Sequence, residues 1–255
     1  MFNATYFKYD GILSSLYGLR IADFDDSNVK ETEAFSPNLT LLKAPGQVRF
    51  FYGKIQYDSA PQCEFSVISE EALPGSARSI IMSWLIGRNQ FKPLQFLDGD
   101  NSEFVYYCIF TSVKTIWVNG QCHGFRLTAQ LDSPFARGPE TTLTVQEGTH
   151  VVEFLNDSDV DGYVYPVVRF TGGNVDIVNI TDDRNRHFTF SGLSADETIT
   201  VDNEIRHIVS SAGGAKLDCF TSKKWMRLRR GKNSLRIVAS GEVTITCPCY
   251  AMIGC

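Results

Sequence analysis

The stretch Val243-Thr244-Ile245-Thr246-Cys247 carries the pattern that decides the fold of this chain. Apolar side chains alternate with threonines, and successive side chains of a β-strand point to opposite faces of the sheet. The same alternation occurs in Thr198-Ile199-Thr200-Val201. Each stretch therefore predicts a strand with one face in a core and the other in water.

Similar short apolar segments recur at even intervals through the second half of the chain. The candidate strands span residues 142–146, 151–155, 164–170, 175–180, 187–190, 198–201, 224–228, 234–239 and 243–247. Many short strands at this spacing are typical of a β-sandwich.

The first half is predicted to be mostly sheet with a single helix. The apolar residues that recur at helical spacing are Ile80, Ile81, Trp84 and Leu85. Ser76 can cap this helix and Gly87 can end it, which predicts a helix over residues 77–86. After it, Asp98-Gly99 separates apolar runs at residues 91–97 and 104–113, and such a separation predicts a strand, a turn and a returning strand.

The whole chain is therefore predicted to be mainly β, with two domains. Pro134 interrupts strand pairing near the change in pattern, which places the boundary between residues 1–133 and 134–255. The first domain is expected to be a β-sheet or barrel with one α-helix, and the second a β-sandwich.

Charge and hydropathy exclude several classes of protein. No apolar stretch approaches the twenty or so residues that span a bilayer, so membrane insertion is not expected. The N-terminus lacks a basic region that leads into an apolar one, which predicts synthesis in a cytosol without secretion. The net charge is −5, and tight sequence-independent binding of nucleic acid needs clustered Lys and Arg.

One basic run, residues 223–232, holds six Lys and Arg in ten positions. Strand alternation places Met226 and Leu228 inward and Arg227 and Arg229 outward. A solvated strand face, or a contact with an acidic partner, is favoured over a phosphate clamp.

The acidic loop Asp157-Ser158-Asp159-Val160-Asp161-Gly162 has the opening of a calcium-binding loop. The glutamate of the twelfth position is replaced by Val168, and the flanking segments resemble strands. An acidic, solvated hairpin turn is the favoured interpretation.

Seven cysteines, an odd number without a signal peptide, predict free thiols and no disulfide framework. A zinc site built from Cys247 and Cys249 with Cys255 or Cys122-His123 lacks any preformed pair of ligands, so Cys247 is interpreted as a small buried hydrophobe. No catalytic motif or nucleotide-binding glycine pattern is present. The chain is predicted to be neither an enzyme nor the holder of a cofactor or a metal.

The N-terminal stretch Phe7-Lys8-Tyr9-Asp10-Gly11-Ile12-Leu13 and its continuation to Ile21 resemble the opening of the distal tail proteins of long, non-contractile-tailed bacteriophages. Further matching motifs occur in the same order and spacing: Ala44-Pro45-Gly46, Phe51-Tyr52-Gly53, Trp84-Leu85, Tyr106-Tyr107 and Gly231-Lys232-Asn233-Ser234-Leu235. The resemblance is spread over nearly the whole chain.

This resemblance implies a structural virion protein at the tail tip. A ring-forming N-terminal domain and a galectin-like β-sandwich would build a hexameric homo-oligomer that joins the tail tube protein to the tail tip or baseplate hub protein. The same ring would carry receptor-binding or adhesion proteins and leave a channel through which DNA passes without specific binding. Neither catalysis nor a cofactor is implied.

A ring requires an interface between subunits, and the N-terminal segment is the candidate because it is rich in aromatic residues. The candidate interface residues are Phe2, Tyr6, Phe7, Tyr9, Leu13 and Tyr17. The alternative is that these side chains fill the core of their own domain, and one strand can do both.

The alternative function is a carbohydrate-binding module that assists adhesion to the host cell. Galectins carry an H-x-N-x-R stretch and a Trp followed by Glu and Arg. Here Phe188 and Thr189 follow His187, and Met226 and Arg227 follow Trp225. Both sugar-binding motifs are therefore absent, and a galectin-like fold alone does not imply sugar binding.

Overall fold

The computed structural model describes residues 4–22, 38–56, 61–99, 101–182, 186–214 and 216–253. These residues form twenty β-strands, one α-helix and one short 3₁₀ helix, so the chain is mainly β, as predicted. It divides into two compact units, Met1–Ala136 with Met252–Cys255, and Arg137–Ala251. None of the described helices is long and apolar enough to cross a membrane.

The first unit contains nine strands, the 3₁₀ helix η1 (Ser14–Tyr17) and the α-helix α1 (Gly75–Ile86). The strands are β1 (Tyr6–Tyr9), β2 (Ile12–Leu13), β3 (Leu19–Ala22), β4 (Asn38–Leu42), β5 (Phe51–Gln56), β6 (Gln62–Ser69), β7 (Lys92–Leu97), β8 (Val105–Val118) and β9 (Gln121–Leu131). Seven of them form an antiparallel sheet in the order β2-β1-β7-β8-β9-β6-β3. The remaining two, β4 and β5, pair only with each other among the described strands.

Helix α1 covers a core of aromatic rings. Ile81, Trp84 and Leu85 are buried, whereas Ile80 is exposed, because residues three and four apart share a helix face. The helix begins at Gly75, two residues before the predicted start, with Pro74 rather than Ser76 at the N-cap. Its end at Gly87 is as predicted, and the Gly87 amide donates to the Ser83 carbonyl at 3.2 Å.

The second unit is a two-layer β-sandwich. Its strands are β10 (Ala136–Val145), β11 (Gly148–Asn156), β12 (Tyr163–Val164), β13 (Val167–Thr171), β14 (Val175–Asn179), β15 (His187–Phe190), β16 (Thr198–Asp202), β17 (His207–Ser210), β18 (Leu228–Arg229), β19 (Gly231–Ala239) and β20 (Val243–Ala251). One layer follows the order β17-β16-β13-β20-β10 and the other the order β11-β19-β14-β15.

The predicted alternation fills the space between these layers. Ile199, Val201, Val243, Ile245 and Cys247 are all buried in one core. Four aromatic rings join them from both layers and the loops, namely Phe170, Phe188, Phe190 and Phe220. The prediction that Cys247 is a small buried hydrophobe is therefore confirmed.

One predicted strand, residues 224–228, is wrong except at its last residue. Only Leu228 and Arg229 form strand β18 there, paired with β12. The Met226 amide instead donates to the Asn203 side-chain oxygen at 2.7 Å. A side chain thus takes the place of a neighbouring strand, which the local alternation of the sequence does not reveal.

Candidate assembly surface

The N-terminal segment is divided between the core and the surface of the first unit. Phe7 and Tyr9 are completely buried, and their side chains belong to the core of their own unit. Tyr6 and Tyr17 are half-buried, and Leu13 is 36% exposed. Phe2 lies outside the described residues. An interface through the surface members of this segment stays a prediction.

Tyr6 and Tyr17 line a surface groove of about 440 Å³. We use "the groove" for this site, whose lining includes Tyr6, Tyr17, Arg20, Glu70, Glu71, Leu73 and Pro74. The Tyr17 ring lies 5.1 Å from the Trp84 ring, which fixes it to the core. The groove therefore has an aromatic wall in which Tyr17 packs against the core.

The edge of the groove is acidic. The Arg20 guanidinium lies 2.9 Å from a Glu70 carboxylate oxygen, and both side chains are exposed. Glu71 is also exposed. The two carboxylates outnumber the single arginine, so this edge of the groove carries a net negative charge.

Residues 38–56, which we call "the arm", form a hairpin of β4 and β5. Large apolar side chains cover the hairpin, and each has an exposed fraction of 49% or more: Leu39, Leu41, Leu42, Val48, Phe50, Phe51 and Tyr52. An isolated two-stranded hairpin is marginally stable in water, and a dense exposed apolar patch usually marks an interaction site.

The turn of the arm has a defined geometry. Pro45 and Gly46 occupy the two central positions, and the Gln47 amide donates to the Ala44 carbonyl at 3.1 Å. Gly46 has a φ of 77°, the left-handed conformation that a type II turn requires at this position. The arm is thus a structured hairpin rather than an irregular loop.

Strand pairing places apolar side chains on both faces of the arm. Leu41 lies opposite Tyr52, and the next pair, Leu42 and Phe51, points to the other face. Both faces of the hairpin therefore carry apolar side chains at these two pairs. The sequence alone does not mark these residues as a surface, because an apolar hairpin around Pro-Gly has the same pattern whether it lies in a core or outside it.

The basic run at residues 223–232 is largely neutralised inside the second unit. Met226 and Leu228 are buried, as predicted. Arg227 is not solvated as expected: it donates from Nε and Nη2 to Asp182, at 3.1 and 3.0 Å, and its side chain is only 14% exposed. Arg229 lies 3.8 Å from the same carboxylate.

Two further members of this run also have carboxylate partners. Arg230 lies 2.8 Å from Asp159, and Lys232 lies 3.4 Å from Glu153. A basic side chain that is already paired has less charge to offer a phosphate. The geometry favours the structural interpretation of the run over the nucleic-acid one.

The acidic loop has the geometry of a turn. The Ser158 amide donates to the Asn156 side-chain oxygen at 3.2 Å, and the Ser158 hydroxyl donates to the Pro248 carbonyl at 3.2 Å. Asp159 faces Arg230 rather than the other aspartates of the loop. Among the described ranges of the chain, no group of three or more His, Cys, Asp and Glu is placed to hold a metal ion.

The prediction of free thiols throughout the chain is wrong at Cys63, which is disulfide-bonded. An odd total requires at least one unpaired cysteine but does not exclude a disulfide, and pairing depends on spatial approach rather than on sequence spacing. Five other cysteines are free: Cys108, Cys122, Cys219, Cys247 and Cys249. Cys255 lies outside the described residues.

The buried free thiols are poorly suited to metal binding or nucleophilic catalysis. Burial raises the pKa of Cys108 and the pKa of Cys247 to about 12 each. Both stay protonated near neutral pH, and the thiolate is the form that binds metals and attacks substrates. His123 Nδ1 lies 3.3 Å from the Ser69 carbonyl oxygen, a contact to the backbone.

His187 and Trp225, the residues compared with the galectin sugar-binding motifs, contact other side chains of the sandwich. The Trp225 ring lies 5.1 Å from the Phe220 ring, and His187 Nδ1 lies 3.0 Å from an Asp176 carboxylate oxygen. The cavity beside them has a volume of about 10 Å³, roughly the space for one water molecule. Carbohydrate binding stays a prediction.

Two family models together match almost the whole chain. A phage tail protein N-terminal domain matches residues 2–133, and a phage tail C-terminal domain matches residues 135–247. The chain belongs to this phage tail protein family. A curated relative, the SPbeta prophage-derived uncharacterized protein YomH of Bacillus subtilis (strain 168), is 27% identical over 169 residues, 65% of each chain. The match thus spans just under two thirds of that relative.

Solved structures extend the likeness to nearly the full length of this phage tail protein. The Dit (gp 19.1) protein of phage SPP1, described as a paradigm of the hub adsorption apparatus in phages that infect Gram-positive bacteria, superposes with a TM-score of 0.71 at 15% identity. The match covers 96% of this chain and 98% of that one. A chain of the phage P2 baseplate in its activated conformation gives a TM-score of 0.53 at 8% identity, covering 97% and 98%. These matches confirm the resemblance to distal tail proteins.

Proposed function

We propose that this phage tail protein forms a ring, of six subunits, that joins the tail tube to the tail tip or baseplate. One observation carries the proposal: a member of a phage tail family shares its fold, over 96% of its length, with a tail hub protein. The tube protein would bind one face of the ring, and the tip and adhesion proteins would bind the opposite face and the flank.

The surfaces of the first unit support this assembly. A ring needs a heterologous contact, in which two different patches of each subunit meet and the contact repeats by a fixed rotation. The exposed apolar arm and the groove are two such patches on one unit. The arm is an exposed apolar patch of the kind that usually marks an interaction site.

The charge of the chain is consistent with a channel for DNA. The net charge is −5, so the chain lacks the excess of Lys and Arg that grips phosphates. A mildly acidic lumen would let DNA pass without binding it. We expect no catalysis and no cofactor requirement, and we place the protein at the tail tip of the virion after synthesis in the host cytoplasm.

The mass of the particles formed by the purified full-length chain tests whether the protein assembles into a ring of six subunits. Native mass spectrometry and negative-stain images should give closed rings of six copies. Particles that stay monomeric over the whole accessible concentration range, with or without added tail tubes, would contradict the proposed function.

A further inference from the structure

We propose that the outer edge of strand β11, in the second unit, accepts one further strand: an extended segment of a partner protein with alternating apolar side chains and a Lys or Arg at each end. Peptide recognition by strand addition extends a sheet that already exists, and main-chain hydrogen bonds supply much of the affinity. The inference goes beyond the proposed ring, because the contact needs only the second unit and does not depend on how many copies assemble.

The two edges of the layer β11-β19-β14-β15 differ. The chain itself covers the β15 edge, where Phe190 forms a β-bridge with Phe220 and the Thr221 amide donates to the Thr189 carbonyl at 3.0 Å. Strand β11 pairs with β19 at all nine of its positions, and no described strand pairs with its other side. Alternate residues of an antiparallel strand point their N–H and C=O groups away from the partner. The outer edge of β11 therefore presents a row of main-chain groups to which a strand can bind.

Strand β11 lacks the features that usually protect an edge, which are Pro, Lys, a bulge or a short length. It is nine residues long, contains neither Pro nor Lys, and pairs with β19 without a register shift. Two of its outward side chains are apolar, Val151 at 65% exposure and Leu155 at 48%. Glu153 lies between them, with its carboxylate 3.4 Å from Lys232 Nζ of β19. A strand with apolar side chains at alternate positions would cover both apolar residues.

The charges at the ends of β11 indicate which strand fits. Glu147 directly precedes β11 and Asp157 directly follows it, and both side chains are exposed. Antiparallel pairing of two β11 strands about their centre would bring Glu147 of one copy beside Asp157 of the other, and like charges in opposite positions destabilise a pair. A strand with a Lys or Arg at each end meets a carboxylate at both ends, in either direction. The occupant is therefore a segment of a different protein rather than a second copy.

Three synthetic peptides test strand addition to the full-length chain. The first is Lys-Thr-Val-Thr-Val-Thr-Val-Thr-Lys with blocked ends, the second has Glu in place of both Lys, and the third has Pro in place of two adjacent central residues. By fluorescence anisotropy, the Lys-ended peptide should bind at least tenfold more tightly than the Glu-ended one. It should also slow hydrogen exchange of the amides in residues 148–156. The Pro peptide should not bind, because one of two adjacent prolines must face β11 and has no N–H to donate.

Substitutions in the chain test the assigned surface. Glu147→Lys with Asp157→Lys should invert the preference, so that the Glu-ended peptide binds at least tenfold more tightly than the Lys-ended one. Val151→Lys should weaken binding of the Lys-ended peptide at least tenfold, because it places a cation on the apolar part of the edge. The matched control is Val209→Lys, at an exposed valine of β17, the edge strand of the other layer, and it should leave binding unchanged. Each variant should melt at the temperature of the parent.

The possible failures are distinguishable. A Lys-ended peptide that does not bind, or that protects amides only outside residues 148–156, would overturn the inference. Equal binding of the Pro peptide would show that the contact is not strand addition. A chain that binds the peptide and never forms rings would contradict the proposed function alone, whereas a chain that forms rings and does not bind the peptide would contradict this inference alone.

Discussion

Trp84 ties helix α1 to strand β1 through two different contacts. Its ring lies parallel to the Phe7 ring, with 5.6 Å between the centroids and 9° between the planes. Its indole nitrogen donates to the Tyr9 carbonyl at 3.1 Å. The helix therefore positions the N-terminal segment, including the residues that line the groove.

Trp84→Ala should destabilise the first unit by about 3 to 5 kcal/mol, because it removes a buried ring and leaves a cavity. Trp84→Phe keeps most of the apolar volume and loses the hydrogen bond, at a cost nearer to 1 kcal/mol. Urea unfolding followed by circular dichroism measures both. A Trp84→Ala chain as stable as the parent would show that the ring is not in the core.

Glu197 is a carboxylate inside the sandwich, with three hydrogen-bond or ion-pair partners. The Ser210 hydroxyl donates to it, Lys216 Nζ lies 3.1 Å away, and the Ser194 amide donates at 3.3 Å. The hydrogen bond from Ser210, together with Lys216, lowers the pKa of Glu197 below its ordinary value of 4.5.

This shift predicts a stability contribution that is present near neutral pH and lost in acid. Between the lowered folded pKa and the unfolded value of 4.5, the unfolded chain binds more protons, so stability falls as the pH drops through that interval. Denaturant unfolding between about pH 3 and pH 7 should show a shallower decline for Glu197→Gln than for the parent. Identical pH profiles would contradict the assignment.

The disulfide bond of Cys63 determines how many free thiols a titration should find. The chain has seven cysteines, and a disulfide at Cys63 removes two thiols from that total. Titration of the denatured chain should therefore find five reactive groups without reductant, matching the five free cysteines, and seven after reduction. Seven groups in both conditions would show that Cys63 is a free thiol.

At the scale of elements, Gly124 determines how closely β6 and β9 approach. It pairs with Ile68, and a Cβ at this position would overlap the Val67 carbonyl oxygen. Gly120, in the turn between β8 and β9, has a φ of 78° and open space around it.

Alanine at these two glycines should have unequal effects. Gly120→Ala should cost about 1 kcal/mol through backbone conformation alone. Gly124→Ala should cost more than about 3 kcal/mol, because two backbones must separate. Thermal unfolding of both variants measures the difference, and equal melting temperatures would show that β6 and β9 can adjust.

Elements with strict local patterns could be predicted from the sequence. His187–Phe190 is a strand with the predicted bounds, and helix α1 differs by two residues at its start. The strand that contains the run predicted to end at residue 113 continues to Val118, where Asn119-Gly120, a strong hairpin signal, forms the turn. Strand β17 was also missed, although Ile208 and Ser210 are buried on one face of it.

Two features of the candidate assembly surface could not be predicted. Tyr6, Phe7 and Tyr9 are aromatic residues of the same strand, β1. Only the tertiary structure shows that Phe7 and Tyr9 lie in the core and Tyr6 lies nearer the surface. The arm contains two of the motifs that carry the family resemblance, but its exposure depends on which strands pair with no other described strand. Both depend on long-range pairing, which a local pattern does not encode.

At the scale of the whole molecule, the division into two domains predicts that the two units unfold independently. Each unit has its own buried core. Calorimetry of the full-length chain should show two transitions, with Trp84→Ala lowering one of them. Ile237→Ala, at a completely buried position of the second core, should lower the other. A single transition that moves with both substitutions would show that the units unfold together.

The arm has a consequence for the chain before it assembles. Strands β4 and β5 each present an edge without a described neighbour, and large exposed apolar side chains accompany these edges, whereas the charged residues of the segment that oppose edge pairing are all basic. Unassembled copies are therefore open to edge-to-edge aggregation through this hairpin. A cover over this hairpin would therefore protect the solubility of the chain as well as contribute to an assembly.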